Sequence, residues 1–364
     1  MKANFGASAP YTVGIEEEFQ LVDPATWELT PVIDQVLSTR TDRELTADSL
    51  ASELSASCLE LRSPVCGTVA ELARELPILR RKVRNLVEGC EMRLAAAGTH
   101  PFSDATAQPI TAAERYRRVE EEMGWTARMQ AIYGLHVHVA VPDEEHAIRA
   151  VNALSRHVPL FIALSANSPF WRGSDTRLSS TRVKVFSLVP RSGLPPSFHF
   201  WEDYEDYVEA LVRAGSIPDY TWCWWDVRPH PGLGTVELRA PDAQTDAACT
   251  ASLAALAQCL VATADEHRPE DPLLTEENKW RTTRHGLDAR LHEFLSGHSA
   301  TARDSARAVV KALRPASQDL GCEAELEGLL EIVEGGTGAE KQRAVFGKRS
   351  SPEDVARYLV AKTA

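Results

Sequence analysis

Four short stretches of this chain pair cation- or anion-binding residues at a spacing of two. Glu16 and Glu18 lie in T-V-G-I-E-E-E-F-Q-L-V, and Glu60 and Arg62 in L-E-L-R-S-P. His136 and His138 lie in G-L-H-V-H-V-A-V, and Glu237 and Arg239 in G-T-V-E-L-R-A. Carboxylates and imidazoles crowded together repel or shift their titration unless something neutralises them. Divalent cations do so directly. Mg²⁺ and Mn²⁺ take oxygen-rich octahedral sites, and Mn²⁺ tolerates imidazole better than Ca²⁺ does. Such ions commonly bridge nucleotide phosphates to protein carboxylates. Zinc is the rival, but a zinc site is dominated by His or Cys. Carboxylates outnumber imidazoles here, so magnesium or manganese is preferred.

The elements that must position these residues are strands, because residues two apart share a strand face. Val13, Ile15, Phe19 and Leu21 share one face; Glu16, Glu18 and Gln20 share the other. Glu17 falls on the apolar side, with no explanation in the sequence. Leu135, Val137, Val139 and Val141 oppose His136 and His138. Val236 and Leu238 oppose Thr235, Glu237 and Arg239, while Leu59 and Leu61 oppose Glu60 and Arg62. Taken singly, each pattern reads as a solvated sheet face or a surface ion pair. Their coincidence predicts an antiparallel sheet with one face against helices and the other walling a polar cavity.

The spacing predicts a long helix over Val69 to Ala97, with Thr68 and Glu71 at capping-box spacing and Gly98 as its stop. Pro77 is expected to kink or split it. Pro142 and Asp143 lead into a second helix through roughly Leu164. Asn167 to Pro196 reads as a loop carrying Arg172, Arg177, Arg182, Lys184 and Arg191. Trp222, Trp224 and Trp225 read as core. From Asp246 the pattern is mostly helical, and the last helix is opened by Ser351 and Pro352.

A 364-residue chain with 44% hydrophobic content can bury a substantial core. Its net charge of −13 argues against a nucleic-acid surface. Seven irregularly spaced cysteines suit reduced thiols. No stretch approaches the roughly 18 apolar residues of a membrane span, and the first ten residues lack a signal-peptide core. A soluble, cytoplasmic protein without a nucleic-acid or membrane partner is expected. There is no Gly-x-Ser-x-Gly elbow and no Gly-x-x-x-x-Gly-Lys loop.

The motifs G-I-E-E-E-F at Gly14–Phe19, G-L-H-V-H-V at Gly134–Val139 and W-W-D-V-R-P at Trp224–Pro229 resemble signatures of the glutamate–cysteine ligase type 2 family. So do S-A-N-S-P-F-W at Ser165–Trp171, D-A-Q-T at Asp242–Thr245 and E-N-K-W-R at Glu277–Arg281. The resemblance implies an α+β fold of the glutamine-synthetase-like kind. Its catalytic domain, residues 1–290, would hold a curved, mainly antiparallel sheet with helices on one face. Residues 291–364 would form a helical extension. It further implies ATP with Mg²⁺ (or Mn²⁺), small-molecule amino-acid carboxylate and amine substrates, and a homodimer.

By matching motifs, Glu18, Glu53 and Glu60 would hold one cation, and Glu16, His136 and Glu237 a second. Glu53 and Glu60 are seven apart, so a bulge or break must fall between Ser55 and Cys58. His138 would lie near the nucleotide, and Arg239 would contact the transferred phosphate. Arg182 would neutralise phosphate or substrate carboxylate, and Arg228, which if buried needs an anionic partner, would join Arg182 and Arg239 as a catalytic residue. The implied reaction joins glutamate to an amine such as cysteine through an acyl phosphate. A deamidase, a phosphotransferase and a non-catalytic binding protein remain alternative readings.

Overall fold

The alternation of apolar and polar side chains becomes two faces of one sheet in the computed structural model, which describes residues 2–40, 45–46, 48–266, 271–292 and 299–363. Met1 and Ala364, the expected outer limits of the two domains, lie outside the described residues. Seven strands build the main sheet: β1 (Val13–Val22), β2 (Leu50–Ser52), β3 (Cys58–Arg62), β4 (Arg93–Ala95), β5 (Leu135–Ala140), β6 (Val227–His230) and β7 (Thr235–Leu238). Their order is β2-β3-β1-β5-β7-β6, with β4 pairing to β1. Every pairing is antiparallel.

Three long helices cover the apolar face: α1 (Val69–Gly89), α2 (Glu144–Ser165) and α3 (Ala247–Ala262). Val13, Ile15, Leu135, Val137, Val139, Val236 and Leu238 share one core with side chains of all three helices. Phe19, Leu21, Leu59 and Leu61 pack instead on Leu79, Val83 and Val87 of α1. Fully burying a side chain of this size contributes about 2 kcal/mol. α3 is buried almost all round, because further helices cover its outer side. These are α4 (Ala302–Asp319) and α5 (Glu323–Gly335); α6 (Gly338–Arg349) and α7 (Pro352–Lys362) follow, with Val355 and Leu359 of α7 packed against Val22, Ala95 and Phe170. Residues of α4 and α5 belong to the same core. From α6, Gln342 donates to the backbone carbonyl and side-chain oxygen of Asn167 at 2.9 and 2.8 Å.

Glu17, unexplained by the sequence, points into the apolar side and meets Arg80 of α1. Arg80 Nε and Nη2 reach its two oxygens at 2.9 and 2.5 Å, and Thr250 of α3 donates to it at 2.7 Å. Arg80 also donates to the carbonyls of Gln244 and Thr245 at 2.9 and 3.1 Å. The pair satisfies its own charges and ties β1 to two helices.

Several sequence expectations need correction. α1 runs through Pro77 and ends at Gly89, not Ala97. Glu91 takes a left-handed φ of 62°, which turns the chain so that β4 pairs with the end of β1. Gly98 therefore caps no helix. The expected loop 167–196 contains a short helix, Thr181–Phe186, capped by Ser180. The Trp-rich segment supplies a strand, β6, before its turn. At the ends of other elements the expectation holds: Thr68 accepts from Glu71 N, Asp143 from His146 N and Ser351 from Asp354 N. No helix among the described residues is long and apolar enough to cross a membrane.

Candidate functional site

Strand register places the polar side chains in rows. Glu16 lies opposite Arg62 on β3 and His136 on β5, while Glu18 lies opposite Glu60. His138 lies opposite Glu237 on β7, which in turn faces Arg228 on β6. Directly opposed side chains on one face are near neighbours, so the rows merge into one wall. That wall lines a cavity of about 430 Å³. Glu53 enters from just beyond the end of β2, where the chain leaves the ladder before β3 begins.

All six expected cation ligands line this cavity, as do His138, Arg182, Arg228 and Arg239. Among the described residues, three groups have ligand atoms within 4.8 Å of one another: Glu18, Glu53 and Glu60; Glu16, Glu60 and His136; Glu16, His138 and Glu237. The first is the expected trio. In the third, His138 stands where His136 was expected. His136 Nδ1 contacts Glu16 at 3.0 Å and lies 3.9 Å from Glu237.

Burial and company set the charges. Burial pushes Glu18 up to about 7, reinforced by the Glu53 carboxylate. Burial, then Glu53 and Glu16, push Glu60 well above the usual carboxylate range. Burial would also raise Glu16, but hydrogen bonds with His136 and His138 outweigh it and hold Glu16 well below that range. For Glu237 burial is outweighed by Arg228 and Arg239. Burial keeps His136 neutral by lowering it to about 4. A buried cluster with protonated or repelling carboxylates at one end fits a divalent cation, whose charge would let Glu18 and Glu60 ionise.

The arginines divide by partner. Arg228 donates to Glu237 at 2.6 Å and to the carbonyls of Thr221 and Cys223 at 2.8 and 3.1 Å. The anionic partner expected for it is thus Glu237, which it positions. Arg239 pairs with the other oxygen of Glu237, leaving Nε without a hydrogen-bond partner. Arg182 donates to the carbonyls of Ala240 and Arg239 at 3.1 Å each, and its Nε is likewise unpartnered. Its guanidinium lies where a Cβ on Gly134 would be, so the Gly of G-L-H-V-H-V is required there. The Gly134 amide donates to Glu18.

The other motifs frame Arg182. Asp242 of D-A-Q-T accepts from Asn167 N, Ser168 Oγ and Ser180 Oγ at 2.8, 2.7 and 2.8 Å. Ser168 Oγ then accepts from Arg182 N at 3.1 Å. Lys279 of E-N-K-W-R pairs with Asp226 of W-W-D-V-R-P at 2.5 Å in a buried position.

The sequence reading missed several cavity residues. Trp225 is core, against Phe198, Tyr204 and Tyr207. Trp222 and Trp224 instead line the cavity, with ring centroids 5.3 Å apart. No strand period could have separated them, since Trp222 ends a short 3₁₀ turn and the strand begins only at Val227. His230, Arg115 and Tyr116 also line it. Arg62, on the same face as Glu60, binds that carboxylate at 2.6 Å and approaches Glu16 at 3.6 Å.

Comparisons with known proteins identify the family and the fold. The family described as glutamate-cysteine ligase family 2 matches residues 12–359. A Rubrobacter xylanophilus protein, provisionally named glutamate–cysteine ligase 2-3, is 65% identical over all of both chains. A second from that organism, provisionally named glutamate–cysteine ligase 2-1, is 48% identical over 97% of this chain and 95% of its own. Among solved structures, glutamate–cysteine ligase from Francisella tularensis in complex with AMP superposes with a TM-score of 0.71. The identity is 14%, covering 98% of this chain and 89% of that one. A bifunctional glutathione synthetase from Pasteurella multocida also gives a TM-score of 0.71 at 14% identity, over 97% of this chain and 52% of its own. These likenesses establish the glutamine-synthetase-like fold. With a family match spanning nearly its whole length, the chain belongs to glutamate-cysteine ligase family 2 and is a carboxylate–amine ligase of that kind.

Proposed function

We propose that this cavity joins the side-chain carboxylate of glutamate to the amine of cysteine, using ATP and Mg²⁺ or Mn²⁺. The observation that carries the reading is the convergence of Glu16, Glu18, Glu53, Glu60 and Glu237 with two imidazoles and the Arg182 and Arg239 guanidiniums on one cavity. A carboxylate does not condense with an amine in water without activation. Transfer of the ATP γ-phosphoryl group to it gives an acyl phosphate, which the amine then attacks, releasing phosphate. The bound cations supply charge neutralisation for the polyphosphate and the transferring group.

The chain's own residues do the rest. Glu18, Glu53 and Glu60 would hold one cation; Glu16 and Glu237 with His136 or His138 would hold another. Arg182 and Arg239, each with an unpartnered buried Nε, offer preorganised donors to the charge that develops on the transferring phosphoryl group. Arg228 fixes Glu237. No side chain need become covalently linked to substrate.

The test is amine-dependent ADP release by purified protein with Mg²⁺ or Mn²⁺, with mass spectrometry of the product. Stoichiometric ADP, phosphate and γ-glutamylcysteine are expected. A stable phosphorylated product without amide would make the protein a phosphotransferase. Amide hydrolysis with no stoichiometric ADP would make it a deamidase.

A further inference from the structure

Two of the seven cysteines meet far from the cavity. Cys259 lies near the end of α3, and Cys322 directly precedes α5 as its N-cap residue. Their sulfurs are 3.7 Å apart, and both side chains are fully buried. A disulfide needs about 2.05 Å between sulfurs, so the pair stands about 1.7 Å from a bond, in van der Waals contact. The separation in sequence is 63 residues.

We infer that Cys259 and Cys322 are an oxidation site, at which hydrogen peroxide converts two thiols into a disulfide that staples α5 to α3. Peroxide is little larger than water, so a brief opening of the helix pair admits it. The Cys322 thiol reduces it, becoming a sulfenic acid and releasing one water. The Cys259 sulfur then attacks the sulfenic sulfur, and the hydroxyl leaves with the Cys259 proton as a second water. Two thiols and one peroxide thus give one disulfide and two waters. Cys322 acts first because of its place: it sits at the positive end of the α5 dipole, which favours thiolate. Its contact with Cys259 also holds its thiol below the usual range.

The bond would close a long loop and so constrain the unfolded chain. It would join the helix beneath the sheet to the layer that covers it. This inference is independent of substrate identity and of the cavity.

The experiment uses the full-length chain, reduced with dithiothreitol, desalted and exposed to millimolar hydrogen peroxide. The peroxide is quenched, and remaining thiols are alkylated under denaturing conditions before peptide mapping. The expected product is a linked peptide pair carrying Cys259 and Cys322, two hydrogens lighter than the sum of its parts. The melting temperature should rise by several degrees, fall back with dithiothreitol, and fail to rise in Cys322→Ser. Recovery of both cysteines as alkyl adducts, their conversion to sulfinic or sulfonic acids, or pairing with other cysteines would overturn the inference. Should Cys322→Ser fail to fold, the wild-type peptide map decides alone.

Discussion

Glu60 on β3 and Glu237 on β7 are each 1% exposed on the same polar sheet face, yet their surroundings are opposite. Glu60 sits with Glu18 and Glu53, and the cation that pairs with it is Arg62, which is itself half exposed. Glu237 sits between Arg228 and Arg239, both largely buried. Glu60 is consequently pushed toward protonation, and Glu237 is held firmly ionised. At the β7 end the countercharge is part of the fold. At the β3 end it must come from outside, which is where a dissociable cation gains most by binding.

The sharpest way to break this contrast is to remove one carboxylate from each end. Glu18→Ala and Glu237→Ala should both lower amine-dependent ADP formation by about 10³-fold; normal turnover in both would refute the site. Stability should separate them. Glu237→Gln leaves two guanidiniums unpaired and should cost about 3 kcal/mol, read as a lower denaturant midpoint. In metal-free protein Glu18→Gln removes a repelling charge and should not lower the midpoint.

A smaller effect concerns protons. Glu18, raised to about 7, holds a proton below that pH, and the proton must leave before a cation binds. Mg²⁺ affinity should therefore strengthen as pH rises through about 7, by about tenfold per unit below it for the Glu18 proton, and more steeply where Glu60 gives up its proton as well. Calorimetry in two buffers of different ionisation enthalpy should register proton release at pH 6.5 that shrinks toward pH 8.5. Arg62→Ala should give the smallest change, because solvent screens a half-exposed guanidinium. Loss of this competitor should tighten the Mg²⁺ midpoint a few-fold; weaker binding would mean that Arg62 supports the cation rather than standing in for it.

The sheet face was legible in the sequence because strand periodicity is strict. Glu16, Glu18, His136, His138 and Glu237 could be assigned to one side by parity alone. Which of them meet was not legible, since register depends on pairings between segments far apart in the chain, such as Glu16 with His136 and His138 with Glu237. His138 beside Glu237 is an outcome of the β5–β7 ladder. Glu17 shows the same limit, its partner Arg80 lying 63 residues on. A trace was present: Arg80 falls in the apolar stripe of α1, among Leu76, Leu79 and Val83. A charge on the buried face of a helix and another on the buried face of a strand imply each other. The false extension of α1 to Ala97 arose because A-A-A-G has helical composition, whereas edge pairing with β1 decided its conformation.

Gln342, reaching from α6 to the oxygens of Asn167, gives the end of the chain a stake in the chemistry. Asn167 leans on Asp242, and Asp242 gathers the serines that seat Arg182. A protein clipped before α6 would keep every strand residue and every acidic side chain of the cavity. It would lose the buttress behind its phosphate-facing guanidinium, and so would be expected to fold around an idle catalyst.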